Sequence, residues 1–436
     1  MEASDVFIAI AYLGLLSFII AKSKFFRIPF AKKSLSLILW AVKVMATLSF
    51  LLIYSLYEPY QKGNDSRVYF SDGLVLHETA KTNPDAFLRI MFGKEYSQDE
   101  KIISKMNYWN RSYDSVVPND NRTIIRINVL MHFVSFGNYM VHLLLMSFFS
   151  FIGLMALYKS VVLMNNKQKW ISIIPVFLIP STIFWSSGNI KEPILVFALG
   201  MSVWYFFKTM SYFKISRLLL FLAYMILLFT IKSYVLFLLI PIMMGYLISK
   251  RTNKIPVWAV YSLSYLFMIS LGLLVAYIKP SYSFVHLIYT KNLDFINMVN
   301  TFHSGSTFAI PNLESSFVDI MLNTPLAIFN ALSRPWIWEA DIWPKLLAAI
   351  ENVFLILAMA YLIYKIDFRK SIRHSFFWFC LIFAISLLAL SGLVTPNMGA
   401  LVRYKSPALP FLFIALSMFG EKWIFVEQRI QRLFKL

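Results

Sequence analysis

Residues 63–73 read Gly63-Asn64-Asp65-Ser66-Arg67-Val68-Tyr69-Phe70-Ser71-Asp72-Gly73. They lie early in a mostly polar segment, Tyr57 to Ile127, that interrupts a succession of apolar runs. The segment is about seventy residues long and carries ten of the chain's 22 acidic residues. The runs on either side are long enough to cross a bilayer, whose core needs about 20 apolar residues of helix. The segment therefore reads as a loop held at a membrane, and the fold class follows from its flanks.

Composition agrees. Of the 436 residues 59% are hydrophobic, 17% aromatic and only 14% charged, with a mean hydropathy of +0.65, too much apolar surface for one water-soluble core. The net charge of +19 does not point to nucleic acid, because the Lys and Arg residues fall in short gaps between apolar runs, as membrane insertion requires. Cys380 is the single cysteine, so no intramolecular disulfide or thiolate cluster is expected. The start, Met1-Glu2-Ala3-Ser4-Asp5, lacks the basic flank of a signal peptide, and the run after it is expected to persist as a first span.

Apolar runs lie near 5–21, 34–57, 138–158, 170–187, 193–207, 217–231, 234–249, 256–278, 346–364, 375–393 and 404–420. The pattern predicts an all-α, polytopic integral membrane protein with about 11 transmembrane helices, forming one domain over 1–436. The gaps 22–33, 159–169, 208–217, 250–254 and 365–374 and the tail 421–436 hold 5, 3, 3, 3, 4 and 4 basic residues against three acidic ones in all. Those gaps are expected on the cytoplasmic side, with the N-terminus outside and the C-terminus inside. The remaining gaps then face outward: the loop 58–127, the turn 186–192, a turn at Lys232, the loop 279–345 and residues 394–403.

No stretch has room for a nucleotide-binding α/β domain or carries a phosphate-binding glycine loop. Helical spacing of apolar residues within Asn83–Tyr96, Glu314–Leu332 and 124–137 predicts short helices lying on the membrane surface.

Four outward stretches carry candidate chemistry. In the first, Asp65 and Asp72 are joined by Arg67, Tyr69, His77 and Glu78, and a carboxylate above the membrane suits a general base; the plain alternative is a solvated loop whose charges balance. Tyr69 is expected on the face of Asp65, while Asp72 precedes Gly73, where the helix could end in a turn. In the second, Lys191 and Glu192 stand before Pro193 at a helix start, where Lys191 and free amides suit a phosphate and Glu192 could simply cap the helix. In the third, Arg403 and Lys405 form a donor pair fitted to a phosphate, or anchor in headgroups. In the fourth, Arg334, Trp336, Trp338 and Glu339 suit stacking and hydrogen bonding to a sugar, or form an interfacial belt. Lys43, inside the second run, either snorkels or lines a polar cavity.

Three of these stretches together resemble the bacterial GT-C superfamily of membrane glycosyltransferases: Asp65-Ser66-Arg67-Val68-Tyr69, the Pro180-Ser181 to Lys191-Glu192 turn, and Asn397-Met398-Gly399 with Arg403-Tyr404. The resemblance covers most of the chain as a layout and about thirty residues as motif. It implies a polyprenyl-phosphate-linked sugar or glycan as donor, a catalytic acid at Asp65, a second acid at Glu192, and a place in the bacterial cytoplasmic (inner) membrane. Two departures stand out: an extra N-terminal span, and Lys-Glu where an aspartate is usual, which leaves open any role for a divalent metal.

The reading is an enzyme that moves a sugar from a polyprenyl-phosphate donor to an acceptor on the outer face. No nucleotide or nucleic acid is needed. Asp65, with Asp72 beside it, activates the acceptor; Lys191, Glu192, Arg403 and Lys405 form the donor-phosphate site; Tyr69, Arg334, Trp336, Trp338 and Glu339 contact sugar or acceptor. An O-antigen or polysaccharide repeat-unit polymerase or ligase is the near alternative, and a flippase or transporter of lipid-linked glycans is the second.

Overall fold

The computed structural model describes residues 3–29, 31–56, 64–110, 119–165, 169–252, 254–279, 283–302, 307–311 and 313–418. The first seven residues of the polar segment, 57–63, and the basic tail 421–436 lie outside the described residues.

The described residues form helices and the turns that join them, with no strand and one isolated bridge, Thr307 to Asn397. In order the α-helices of five residues or more are α1 (Ala3–Lys22), α2 (Ser34–Leu56), α3 (Asp65–Thr82), α4 (Pro84–Met91), α5 (Asp120–Ser135), α6 (Tyr139–Met164), α7 (Ile173–Phe177), α8 (Pro180–Trp185) and α9 (Lys191–Ser211). They continue as α10 (Ile215–Arg251), α11 (Val257–Ile278), α12 (Phe284–Phe302), α13 (Phe317–Ser333), α14 (Trp343–Lys365), α15 (Ser375–Val394), α16 (Met398–Lys405) and α17 (Ala408–Ser417).

Eight of these, α1, α2, α6, α9, α10, α11, α14 and α15, are long and apolar enough to cross a bilayer, which makes this a multi-pass membrane protein. Four of the eleven expected runs take a different form. The run 170–187 is divided between α7 and α8, because Pro180 offers no N–H and turns the residue before it away from helix. The runs 217–231 and 234–249 join in the 37-residue α10, broken only where Lys232 adopts the non-helical angles φ −152°, ψ 85°. The run 404–420 is split between α16 and α17, and the 10 residues of α17 span only about 15 Å.

The chain divides into two compact units, one from described residues of 1–163 and 183–233, the other from 164–182 and 234–418. The first is organised on α6 and α9, whose apolar windows are 72% and 67% buried, whereas α1 at 17% turns most of its surface outward. Exposed apolar side chains such as Phe7, Phe18 and Leu52 suit contact with lipid. Helices α6 and α9 cross at two glycines: a Cβ on Gly200 would stand 2.0 Å from the Gly153 carbonyl oxygen, so only glycine lets the backbones meet. In the second unit α15 is the centre, and Gly392 makes the corresponding approach: a Cβ there would stand 2.0 Å from the Ala327 carbonyl oxygen of α13.

The polar segment folds as α3, α4 and α5. Helix α3 does not end at Gly73. It continues to Thr82, and Gly73 is there for packing, since a Cβ would lie 2.7 Å from Asn128 Cβ on α5. The helices expected at the membrane surface are formed as α4, α5 and α13.

Candidate functional site

In the first unit the candidates gather at the start of α3. The Asn64 side chain accepts from the amides of Ser66 and Arg67 at 3.1 and 3.3 Å, occupying two donors that a helix start leaves open. Asp65 is thereby set in the first turn, where the helix dipole favours a negative charge. Its Oδ1 accepts from the Tyr108 hydroxyl at 3.0 Å, and it remains half-buried. The exposed Arg67 places its guanidinium 3.9 Å from the centre of the Tyr139 ring, while Ser66 Oγ meets the Tyr139 hydroxyl at 2.6 Å.

Tyr69 is buried and donates to Asn121 Oδ1 at 2.8 Å, with its ring edge-on to Tyr108 at 5.5 Å. Asp65 and Tyr69 therefore share one face, with Tyr108 touching both. Asp72 is also buried, accepting from the amides of Asn107 and Tyr108 at 2.9 and 2.7 Å. Burial pushes its carboxyl upward, and the two amides draw it back. Asp72 is thus a clamp on the backbone that carries Tyr108.

The turn before α9 meets the same place. Asn189 donates to the Ser66 carbonyl at 3.0 Å, and Lys191 pairs with Asp120 at 2.7 Å. Glu192 is buried against Lys232 at 3.0 Å, so the helix-opening acid faces the break in α10. Lys191 and Glu192 each hold a protein partner in the positions assigned to donor phosphate. Lys43 turns inward rather than snorkelling: its ammonium donates to the carbonyls of Ile183 and Ser186 at 3.0 and 2.7 Å and to Ser186 Oγ at 2.5 Å.

Beneath α3 runs a series of histidines. His77 stacks on His132 at 5.6 Å, and His132 lies 4.4 Å from His142. His132 Nε2 is 2.9 Å from the Phe70 carbonyl oxygen; His142 binds Asn128 Oδ1 and Ser135 Oγ at 2.8 and 2.9 Å. Burial pushes the pKa of both His77 and His132 down.

In the second unit Lys405, at the end of α16, is buried and donates to the Arg334 carbonyl at 2.9 Å and to Asn352 Oδ1 at 2.8 Å. Asn352 in turn donates to the carbonyls of Ser333 and Pro335. The nearby Glu351 carboxylate accepts from the Ser181 amide at 2.8 Å. Arg334 is tied to Glu339, donates to Asn330 at 3.2 Å and covers the Phe308 ring at 4.6 Å. Glu339 also accepts from the Trp336 amide at 2.9 Å. Trp336 and Trp338 stack nearly parallel at 5.0 Å, leaving Trp338 78% exposed. Arg403 is half-buried with its guanidinium 6.0 Å from the Tyr404 ring.

The structure thus brings Asp65, Tyr69, Asp72, Lys191 and Glu192 into one unit and Arg334, Trp336, Trp338, Glu339, Arg403 and Lys405 into the other. Residues not singled out from sequence are Tyr108, Asn121, Asn189, His132 and His142 in the first, and Glu351 and Asn352 in the second. Glu351 and His142 carried a signal, as ionisable residues inside apolar runs. Among the described residues no group of three or more His, Cys, Asp or Glu is placed to hold a metal ion. Comparisons with protein-family models, with curated proteins and with solved structures find no match to this chain.

Proposed function

We propose that the protein is a membrane glycosyltransferase that moves a sugar from a polyprenyl-phosphate donor to a hydroxyl acceptor on the outer face of the bacterial cytoplasmic membrane. The observation that carries this reading is Asp65: a half-buried carboxylate at a helix start, held by Tyr108 and flanked by the exposed Arg67. In the step, a carboxylate oxygen of Asp65 takes the acceptor's proton as its oxygen bonds to the anomeric carbon. The bond from that carbon to the phosphate oxygen breaks, and polyprenyl phosphate leaves with the electron pair. Arg67 is an exposed cation two residues from Asp65 and suits the leaving phosphate, whereas Lys191 already serves Asp120. The stacked Trp336 and Trp338 suit a sugar face, and Arg403 suits a phosphate; each is testable by itself. The layout keeps eleven crossings and an external N-terminus, counting α10 twice at Lys232 and α7 with α8, and α16 with α17, as broken crossings.

Transfer from a labelled polyprenyl-phosphate sugar in membranes tests the reading. Asp65→Asn keeps the side chain's size and removes the basic oxygen, so transfer is expected to vanish while the protein elutes as a single species in detergent. Full activity of that variant would remove Asp65 from the chemistry.

A second reading, a flippase or transporter of lipid-linked glycans, is favoured by one specific set of features. The α7–α8 break, the break at Lys232 and the buried Lys43 are of the kind that form transport sites within a bilayer. Movement of a labelled lipid-linked glycan across proteoliposomes, undiminished in Asp65→Asn, would favour it over transfer.

A further inference from the structure

We propose that α4 and the C-terminal half of α5 form a face embedded in one leaflet, in contact with lipid acyl chains, rather than resting above the headgroups. The inference does not depend on the enzymatic reading. Its first observation is a continuous apolar surface. Leu88 and Phe92 at α4 and Leu130, Phe133, Val134 and Phe136 at α5 are all exposed, between 48% and 80%. The two groups are joined by the contact of Phe87 with Phe133, whose rings meet edge to face at 6.3 Å.

The second observation sets the depth. Asn138, just past the end of α5, donates to the backbone carbonyl of Asp5 at 2.7 Å, near the start of the membrane-length helix α1. Val134, one turn earlier in α5, accepts through its carbonyl from the Tyr12 hydroxyl. Tyr12 lies seven residues beyond Asp5, about 10 Å further along α1. The chain therefore moves from the level of Asp5 toward that of Tyr12 as it is followed back into α5, so this end of α5 dips alongside a span. Its apolar residues continue the lipid-facing surface of α1.

The third observation is chemical. A helix end leaves carbonyl oxygens without intrahelical donors, and in hydrocarbon no water can satisfy them. At the end of α5 the protein supplies donors: the Tyr12 hydroxyl for Val134 and the Asn138 amide for Ser135 at 3.0 Å. Phe136 takes the left-handed conformation, φ 54°, and Gly137 follows at φ 73°, so the chain reverses in two residues and enters α6 at Tyr139.

Nitroxide labels attached to cysteines replacing Phe92, Leu130 and Phe133, one at a time in a Cys380→Ser background, test this in phosphatidylcholine–phosphatidylglycerol nanodiscs. All three side chains are exposed, though Phe133 also meets Phe87 and His77, and folding of each variant is checked by elution. Collision with dissolved oxygen should exceed collision with a water-soluble nickel chelate at the three sites, with the order reversed at the exposed Glu78→Cys on α3. Nickel accessibility equal to that at residue 78 would place the face in water and overturn the proposal. Shielding from both reagents, with dipolar broadening between labels on two chains, would also overturn it by making a second copy the occupant.

Discussion

The carboxylate of Asp72 accepts a 2.7 Å hydrogen bond from the backbone N–H of Tyr108, the residue whose phenol donates to Asp65. Two acids on one helix therefore divide the work: one fixes the tyrosine, the other is held by it. This division predicts distinct phenotypes. Tyr108→Phe removes a hydrogen bond to a charged group, worth about 1.5–3 kcal/mol, and should lower transfer roughly 10- to 100-fold without loss of folded protein. Asp72→Asn should act on stability instead, because an amide presents one acceptor where two amides need partners. A lower thermal midpoint with proportionate activity per folded molecule is expected, and a dead but fully stable Asp72→Asn would move the catalytic role to Asp72.

Acid should loosen the packing of α3 on α5. His77 and His132 both have pKa values below the usual 6.5, chiefly through burial; around His77 Lys81 adds to the shift and Glu78 opposes it. For His132 the Phe70 carbonyl and Glu78 oppose it, and His77 and Lys81 add to it. A base whose pKa is lowered on folding stabilises the fold above its unfolded pKa and loses that contribution as pH falls through the lowered value. Amide hydrogen exchange in α3 and α5, corrected for intrinsic rates, should rise between pH ~6.5 and pH ~5 and stay flat between pH ~8 and pH ~6.5. His132→Gln should blunt the rise; an unchanged pH dependence in that variant would clear His132 of the effect.

Lys405 is buried and held by the Arg334 carbonyl and Asn352 Oδ1. If its charge supports donor binding, Lys405→Gln should lower transfer per folded molecule while Lys405→Arg retains most of it. Equal activity in the two variants would confine Lys405 to holding the Arg334 carbonyl and Asn352.

The proposed orientation is checked by single cysteines in a Cys380→Ala background. Ser104 in the polar segment and Arg369 between α14 and α15 are both exposed. In intact spheroplasts a membrane-impermeant thiol reagent should label Ser104→Cys and spare Arg369→Cys. The opposite pattern would invert the topology and take the outer-face reading with it.

What was legible in the sequence was what hydropathy and charge encode locally. The long apolar runs became helices, and Tyr69 falls on the face of Asp65 because helical spacing alone dictates it. Gly73 misled because a glycine that ends a helix and a glycine that lets another helix approach look the same until Asn128, 55 positions away in the chain, is brought against it. Lys191 and Lys405 suited an anion by composition, yet their partners Asp120 and Asn352 are set by tertiary packing. Glu351 was readable as an acid within an apolar run, whereas Tyr108 stands in a stretch of no distinguishing pattern and matters only through Asp72.

The three oxygens around the Lys43 ammonium impose an order on synthesis. They come from Ile183 and Ser186, 140 and 143 positions later in the chain. At about 5–20 residues per second the ribosome needs on the order of ten seconds to make that stretch after Lys43 has been joined. Throughout that interval α2 has no such acceptors for its ammonium, and a lone charge at that depth is costly in lipid. The second apolar helix made therefore lacks the partners of its buried lysine until the segment at 183–186 has been made.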